Sequence, residues 1–524
     1  MLDAERARLA TLGAGLRRDL PELIRLRDRW FLAERREGGD GGGWPPAGFG
    51  WNLALALCLD AEPGAAAGAG ASGAAFLAAC DRLAAGEAIL ARAEVGDLAL
   101  AGRDEGVVAA WATSRRRPAE WRERADFAWW GDLLLRQQAA ERAALAAEPA
   151  APPAATAPPA WPLDERDRRR GALEVARMAC QQIYPPEARV GGGTFAFYGA
   201  VLARLIGRAL RDLDAGAGGA VSSPIGEGAL VAALAADLGA EAGAVREALA
   251  LFTLDAGNAA YHGASLGVAP PPLIRLDAET LARSAAGLLR EPLIFLAREL
   301  RRRHAQEYHN AAHLREATFR QELYALFADR RFVRAARRVE LRRAGGDART
   351  DLDALIFDRK TGTLGIFELK AQDPFARSSG ERIRQRDYFL QANRQVAAAS
   401  DWLRQHGGNE LLARIDGPTA KKFRVQRVRL FVLGRYLAHL SGGAEPDRRA
   451  AWGTWPQVLR LVDARPFAAG EGNPIDTLFN RLVRDNTDAA TGGDEAYALA
   501  LGAGRIEVFP SFSAYRAATE GGRA

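Results

Sequence analysis

Residues 350–372 read TDLDALIFDRKTGTLGIFELKAQ. Two apolar runs, DLDALIFD and LGIFELKA, flank RKTGT, a tight polar turn carrying Thr-Gly, which together predict a β-hairpin. Asp353, Glu368 and Lys370 interrupt those runs where a buried sheet favours Leu, Ile and Phe. Alternate side chains of a strand share a face, so Glu368 and Lys370 point the same way. With the turn centred on Lys360–Thr361, Asp353 falls beside that pair. Two carboxylates and one ammonium then converge at one edge of a mostly apolar sheet.

Burying such groups costs several kcal/mol each unless they are paired or bind a metal. An ion pair accounts for one carboxylate and the lysine and leaves the second carboxylate over. Two facing carboxylates suit a hard cation, Mg²⁺ or Mn²⁺. Such an ion polarises a phosphoryl oxygen and lowers the pKa of a bound water. The lysine orients that water or offsets charge on the phosphorus. Asp351 shares a face with Asp353 one step further from Glu368, and is the rival or supporting carboxylate. Asp358 lies on the opposite face at the turn, where solvation is expected.

The surrounding order is α-β-β-β-α-β. HLREATFRQELYALFADRR is an amphipathic helix, FVRAARRVEL a strand, and RRAGGDART a polar turn ahead of the hairpin. SGERIRQRDYFLQANRQVAAASDWLRQHGG is a long helix, opened by Ser378–Ser379 and closed by Gly407–Gly408. KKFRVQRVRLFVLGRY is a further strand. A hairpin followed by a crossover helix and another strand predicts a mixed sheet with helices on its faces.

This arrangement resembles the PD-(D/E)XK nuclease superfamily over about residues 312–436, with Asp353 matching the motif aspartate, Glu368 the acidic position and Lys370 the lysine. The motif proline is absent, since Leu352 precedes Asp353. The resemblance implies a restriction-endonuclease-like fold, in which a mixed central sheet is flanked by helices. It also implies Mg²⁺ (or Mn²⁺) dependence and phosphodiester hydrolysis. Many members add a Glu from the preceding helix. Phe319, Leu323, Leu326 and Phe327 define the apolar stripe of that helix; Glu316 falls about 30° from its centre and Glu322 about 90° away. Glu316 is therefore the expected third acid, so the expected metal ligands are Asp353, Glu368 and Glu316. In the following helix, Phe389, Ala392, Val396, Ala399 and Leu403 mark the buried face. Gln385 shares it and is the candidate to position a water or a phosphate; Gln372 continues the Glu368–Lys370 face.

The whole chain has 524 residues, enough for two to four domains. At 48% hydrophobic and 26% charged it is globular. Residues 1–147 read as a helical N-terminal domain, 148–162 as an Ala/Pro linker, and 163–299 as a helical middle region. Residues 300–440 form the nuclease-like domain and 441–524 its C-terminal extension. The expected class is thus mixed α+β or α/β, with largely α-helical N-terminal regions. The Gly-rich stretch 38–52 breaks the first helical pattern as a long loop. Three cysteines far apart suggest neither disulfide framework nor zinc site, and suit a reducing cytosol. No signal core and no apolar run of about 18 residues occurs, so a cytoplasmic protein without a membrane partner is expected.

Net charge is +6, mild evidence for a polyanionic partner. The stretch 301–344 is more pointed, with twelve arginines against five acidic residues. It reads as a solvated helical face or a phosphate-facing surface. HAQEYHNAAH lacks the HExxH arrangement and reads as a polar helix face; VGGGTFAF lacks the Lys-Ser/Thr of a P-loop.

The expected function is a metal-dependent nuclease acting on nucleic acid, DNA in the first instance, in restriction, phage defence or repair. The helical N-terminal regions would select a substrate, a protein partner or a second copy of the chain. The alternative is a catalytically inactive nuclease-fold module that binds nucleic acid or protein. An ordinary salt-bridged hairpin in a helical scaffold is the third reading. It requires Glu368 paired with Lys370 and Asp353 turned to solvent.

Overall fold

The computed structural model describes the chain apart from residues 38–47, 61–71, 104–105, 112–118, 149–162, 216–220, 265–268, 343–347, 375–377, 441–443, 465–466, 468–471, 489–496, 502–503 and 510–524. The Ala/Pro linker, most of the Gly-rich loop and the centre of the RRAGGDART turn lie outside the described residues.

In chain order, the unit around the hairpin comprises helix α1 (Ala312–Leu326) and strands β1 (Phe332–Arg334), β2 (Val339–Arg342), β3 (Ala348–Leu352), β4 (Ala354–Asp358) and β5 (Thr363–Lys370). Helix α2 (Ser379–Ile415), strands β6 (Arg427–Gly434) and β7 (Ala450–Thr454), and helices α3 (Trp455–Ala464) and α4 (Pro474–Asp488) follow. The main sheet has the order β7-β6-β5-β4-β1. β1, β4 and β5 are antiparallel, whereas β5, β6 and β7 run parallel. The protein is thus a mixed α/β protein with several small mixed sheets. β4 and β5 are buried along their whole length, as strands covered on both faces must be.

The hairpin pairs Ala354 with Phe367 and Asp358 with Thr363, the register that a Lys360–Thr361 turn dictates. Gly362 closes the turn at φ 66°, in the left-handed region that glycine enters without steric cost.

Two expected strands each divide in two. FVRAARRVEL becomes β1 and β2, separated by residues 335–338, because β1 joins the main sheet while β2 pairs with β3 in a separate ribbon. DLDALIFD breaks at Asp353, where the chain leaves that ribbon and enters the main sheet. The tail segment AWGTWPQVLRLV supplies β7 and α3.

Helices cover both faces of the main sheet. Gly365, on the Phe367 face of β5, abuts Ile475 of α4, and Phe431 of β6 meets Phe479 of the same helix. The opposite face, carrying Glu368 and Lys370, meets α2. Ser378 caps α2 by accepting from the Glu381 N–H at 3.2 Å. The helix kinks at Gly407, which has φ 78° and ψ 164°, then continues to Ile415.

Elsewhere, the hairpin formed by Leu98–Arg103 and Gly106–Trp111 joins a hairpin near the other end of the chain, Tyr497–Leu501 and Gly504–Phe509. The inner strands of the two hairpins run parallel in one four-stranded sheet. A second apolar core is built from residues 178–311 with Phe31. Buried Asp28 in the helix Leu20–Glu37 ties that region to the N-terminal helices. It accepts from the Ser222 and Ser284 hydroxyls and from the Ala285 and Ala286 N–H groups, at 2.6–3.0 Å. The three cysteines are buried and unbridged. No single described helix is long and apolar enough to cross a membrane. The bent pair Glu227–Leu238 and Ala242–Leu251 has the composition, but Leu230, Leu234, Val245 and Leu249 on it are core residues.

Candidate active site

The charged groups of the hairpin meet where β5 ends and β4 begins. Strand pairing stops at Ala354–Phe367, and Asp353 lies just past it. Its Oδ2 accepts from the Leu369 N–H at 2.8 Å, so the side chain extends the ladder by one bond. Its Oδ1 lies 2.8 Å from Nη2 of Arg338. Asp353 is only 4% exposed, which separates this arrangement from the salt-bridged scaffold: that reading requires a solvated Asp353.

Glu368 and Lys370 share a face, as the period of a strand requires, and Lys370 Nζ lies 2.7 Å from Glu368 Oε1. The scaffold reading's other requirement, a Glu368–Lys370 pair, is therefore met. Lys370 Nζ also donates to Gln395 Oε1 at 2.9 Å and sits 4.4 Å from the Tyr388 ring centroid. Gln395 and Tyr388 both come from α2.

Glu316 joins the cluster from α1. Its Oε2 is 2.6 Å from Arg338 Nη2, and its Oε1 accepts from the Tyr388 hydroxyl at 3.3 Å. Glu322 points elsewhere and forms a bidentate pair with Arg435 at 2.6 and 3.0 Å. Asp351 borders the cluster, with Oδ2 at 3.3 Å from Arg338 Nη1. Gln385 makes no hydrogen bond to any of these groups among the described residues. Gln395, further along α2, accepts from Lys370.

Electrostatics follow from burial. Desolvation, reinforced by Asp353 and opposed by Lys370, pushes the Glu368 carboxyl up to about 8. Burial and Asp353 also raise Glu316, against the pull of Arg338 and Lys370.

The chain beyond Lys370 is fastened to residues 298–315. Asp373 accepts from Arg315 Nη1 at 2.6 Å, from the Tyr308 hydroxyl at 2.7 Å and from Arg301 Nη1 at 3.0 Å. Arg315 packs over the rings of Tyr184 and Tyr308, 4.6 and 4.7 Å from their centroids. Arg298 and Arg301 also pair with Glu381 in the first turn of α2, at 3.3 and 3.8 Å. The helix Pro292–Arg303 therefore grips both ends of the segment that joins β5 to α2.

Asp358 corrects an expectation. It is fully buried rather than solvated, because its side chain folds back over the turn. It accepts from Arg331 Nε and Nη2 at 2.6 and 2.5 Å, from the Lys360 N–H at 2.9 Å and from the Thr361 hydroxyl at 2.7 Å.

Arg338, Tyr388 and Gln395 escaped the sequence reading. Tyr388 lies three residues after Gln385, on a neighbouring position of the same helical face, and that spacing was a usable signal. Arg338 carried no local signal, because its position depends on the β2–β3 pairing.

Asp353, Glu368 and Glu316 supply the hard oxygen donors that Mg²⁺ or Mn²⁺ prefers, and in this respect the residues fit such an ion. Among the described residues, no three His, Cys, Asp or Glu side chains form a group that could hold a metal ion. Glu316 and Asp353 each commit an oxygen to Arg338, and Glu368 commits one to Lys370. Compared with protein-family models, curated proteins and solved structures, the chain has no significant match in any of the three.

Proposed function

We propose that the chain is a metal-dependent nuclease of the PD-(D/E)XK type, built on a restriction-endonuclease-like fold and hydrolysing phosphodiester bonds in DNA. One observation carries this reading. Four carboxylates, Glu316, Asp351, Asp353 and Glu368, meet two cations, Arg338 and Lys370, where β4 begins and β5 ends in a buried sheet. A structural ion pair needs no such excess of acid, and a divalent cation offsets it. Asp353, Glu368 and Glu316 would hold the ion, which supplies a polarised phosphoryl oxygen and an activated water. Lys370, held by Glu368, Gln395 and the Tyr388 ring, keeps an ammonium at a fixed point for charge that builds on the phosphorus. Tyr388 links Lys370 to Glu316 and so sets their spacing.

A second reading is a nuclease-fold module that binds nucleic acid without cutting. The seat of Arg338 between Glu316 and Asp353 favours it, because a guanidinium there neutralises the acids without metal.

The test is cleavage of supercoiled plasmid, linear duplex and single-stranded DNA with Mg²⁺ or Mn²⁺. Under the first reading, Lys370→Ala and Asp353→Ala each lower cutting by about 100-fold or more. Absence of cutting, with DNA binding equal in wild type and both variants, sinks the nuclease and favours the binding module.

A further inference from the structure

Arg338 is the one cation of the cluster that the hydrolytic reading leaves without a task. Its guanidinium touches three carboxylates from three places in the chain. Nη2 lies 2.6 Å from Glu316 of α1 and 2.8 Å from Asp353 at the sheet junction, and Nη1 lies 3.3 Å from Asp351 of β3. The ribbon register puts it there. Val339 pairs with Leu352, so Arg338 stands across from Asp353 at the point where the ribbon ends.

Two further features bear on what the guanidinium does. Both oxygens of Asp353 are engaged, Oδ2 by the Leu369 N–H and Oδ1 by Arg338. The Leu369 bond extends the ladder between β4 and β5, whereas Arg338, among the described residues, is held by side-chain contacts alone. The side chain of Arg338 is also 44% exposed while that of Asp353 is 5% exposed, so the guanidinium covers the carboxylate from the solvent side and has water to move into.

We propose that Arg338 is an internal counter-cation that closes the metal-binding carboxylates of the resting protein and has to leave them before a divalent cation binds. This rests on the hydrolytic reading of the same site. A guanidinium at hydrogen-bond distance from both Asp353 Oδ1 and Glu316 Oε2 stands where a metal ion bridging the two would sit, and its charge repels that ion. Arg338 thus sets a threshold of divalent cation below which the site stays shut. Moving it demands no backbone change, since the side chain can rotate into solvent.

The test is calorimetric titration of the full chain with Mn²⁺ alone. Wild type, Arg338→Ala, Arg338→Gln and Asp353→Asn are compared, and circular dichroism confirms that each is folded. Arg338→Gln keeps the side-chain stem without the charge, and so covers the case in which the alanine variant does not fold. Both Arg338 variants are expected to bind Mn²⁺ about tenfold tighter than wild type, and Asp353→Asn to lose the binding. Binding that vanishes in Asp353→Asn, but is equal or weaker in the Arg338 variants, overturns the counter-cation and leaves the metal site standing. No Mn²⁺ binding to wild type or to the Arg338 variants overturns both.

Discussion

Glu368 carries the clearest consequence at the scale of single residues. Burial first, then Asp353, lift its carboxyl from 4.5 to about 8, against the opposing pull of Lys370. A carboxyl raised on folding binds its proton more tightly in the folded chain than in the unfolded one. Its contribution to stability is therefore complete below the unfolded value of 4.5 and is lost as pH rises towards about 8. Glu368→Gln removes that proton. In metal-free buffer, the stability of wild type relative to Glu368→Gln should fall as pH rises through this window. Thermal melts of both proteins across that range measure it. A gap between them that is constant with pH contradicts the raised carboxyl.

The hairpin is the decisive element. Its turn is fastened twice, by the Asp358 carboxylate over residues 360–361 and by the positive φ of Gly362. A Cβ on Gly362 would stand 2.6 Å from Gln426 Cγ and 2.9 Å from the Arg424 carbonyl oxygen. Gly362→Ala therefore meets both a strained backbone and a crowded strand approach. It is expected to cost about 1–2 kcal/mol from the backbone alone, seen as a lower midpoint in urea unfolding. An unchanged midpoint would show that the turn has another conformation open to it. Helix α2 has a parallel role on the other side of the site. Its N-terminal turn is held by Arg298 and Arg301, and its next turns deliver Tyr388 and Gln395 to Lys370.

Across the whole molecule, a hairpin within the first 147 residues shares a sheet with one near position 500. Gly504–Phe509 lies parallel to Gly106–Trp111, and Leu499, Leu501, Ile506 and Val508 bury their side chains there. A chain ended after Asp488 would bare one edge of Gly106–Trp111 and uncover the apolar side of the helix Gly73–Glu94, whose Gly86 abuts Leu501 and Ile506. Limited proteolysis followed by mass spectrometry should then show faster cleavage within residues 1–147 than in the full chain. Equal rates in the two proteins would mean that the N-terminal helices stand without their partner hairpin.

The local chemistry was legible in the sequence because it depends on short-range geometry. A period of two put Glu368 and Lys370 on one face, and the turn chemistry placed Asp353 beside them. A period of 3.6 turned Glu316, rather than Glu322, towards the same cluster. Tertiary structure alone decided the remaining partners of those charges. Asp353 became the junction of two sheets, and Arg338 its partner, through a ribbon pairing that no local pattern encodes. Gln395 reaches Lys370 because the path of α2 across the sheet, not its phase alone, selects the turn that meets the ammonium. Asp358 was buried by Arg331, which lies 27 positions earlier, and the hairpin at 98–111 found its neighbour near position 500. Periodicity resides in neighbouring residues and can be read from them. The partner that neutralises a buried charge or completes an open sheet edge is chosen by contacts distant in the chain, and only the folded molecule supplies those.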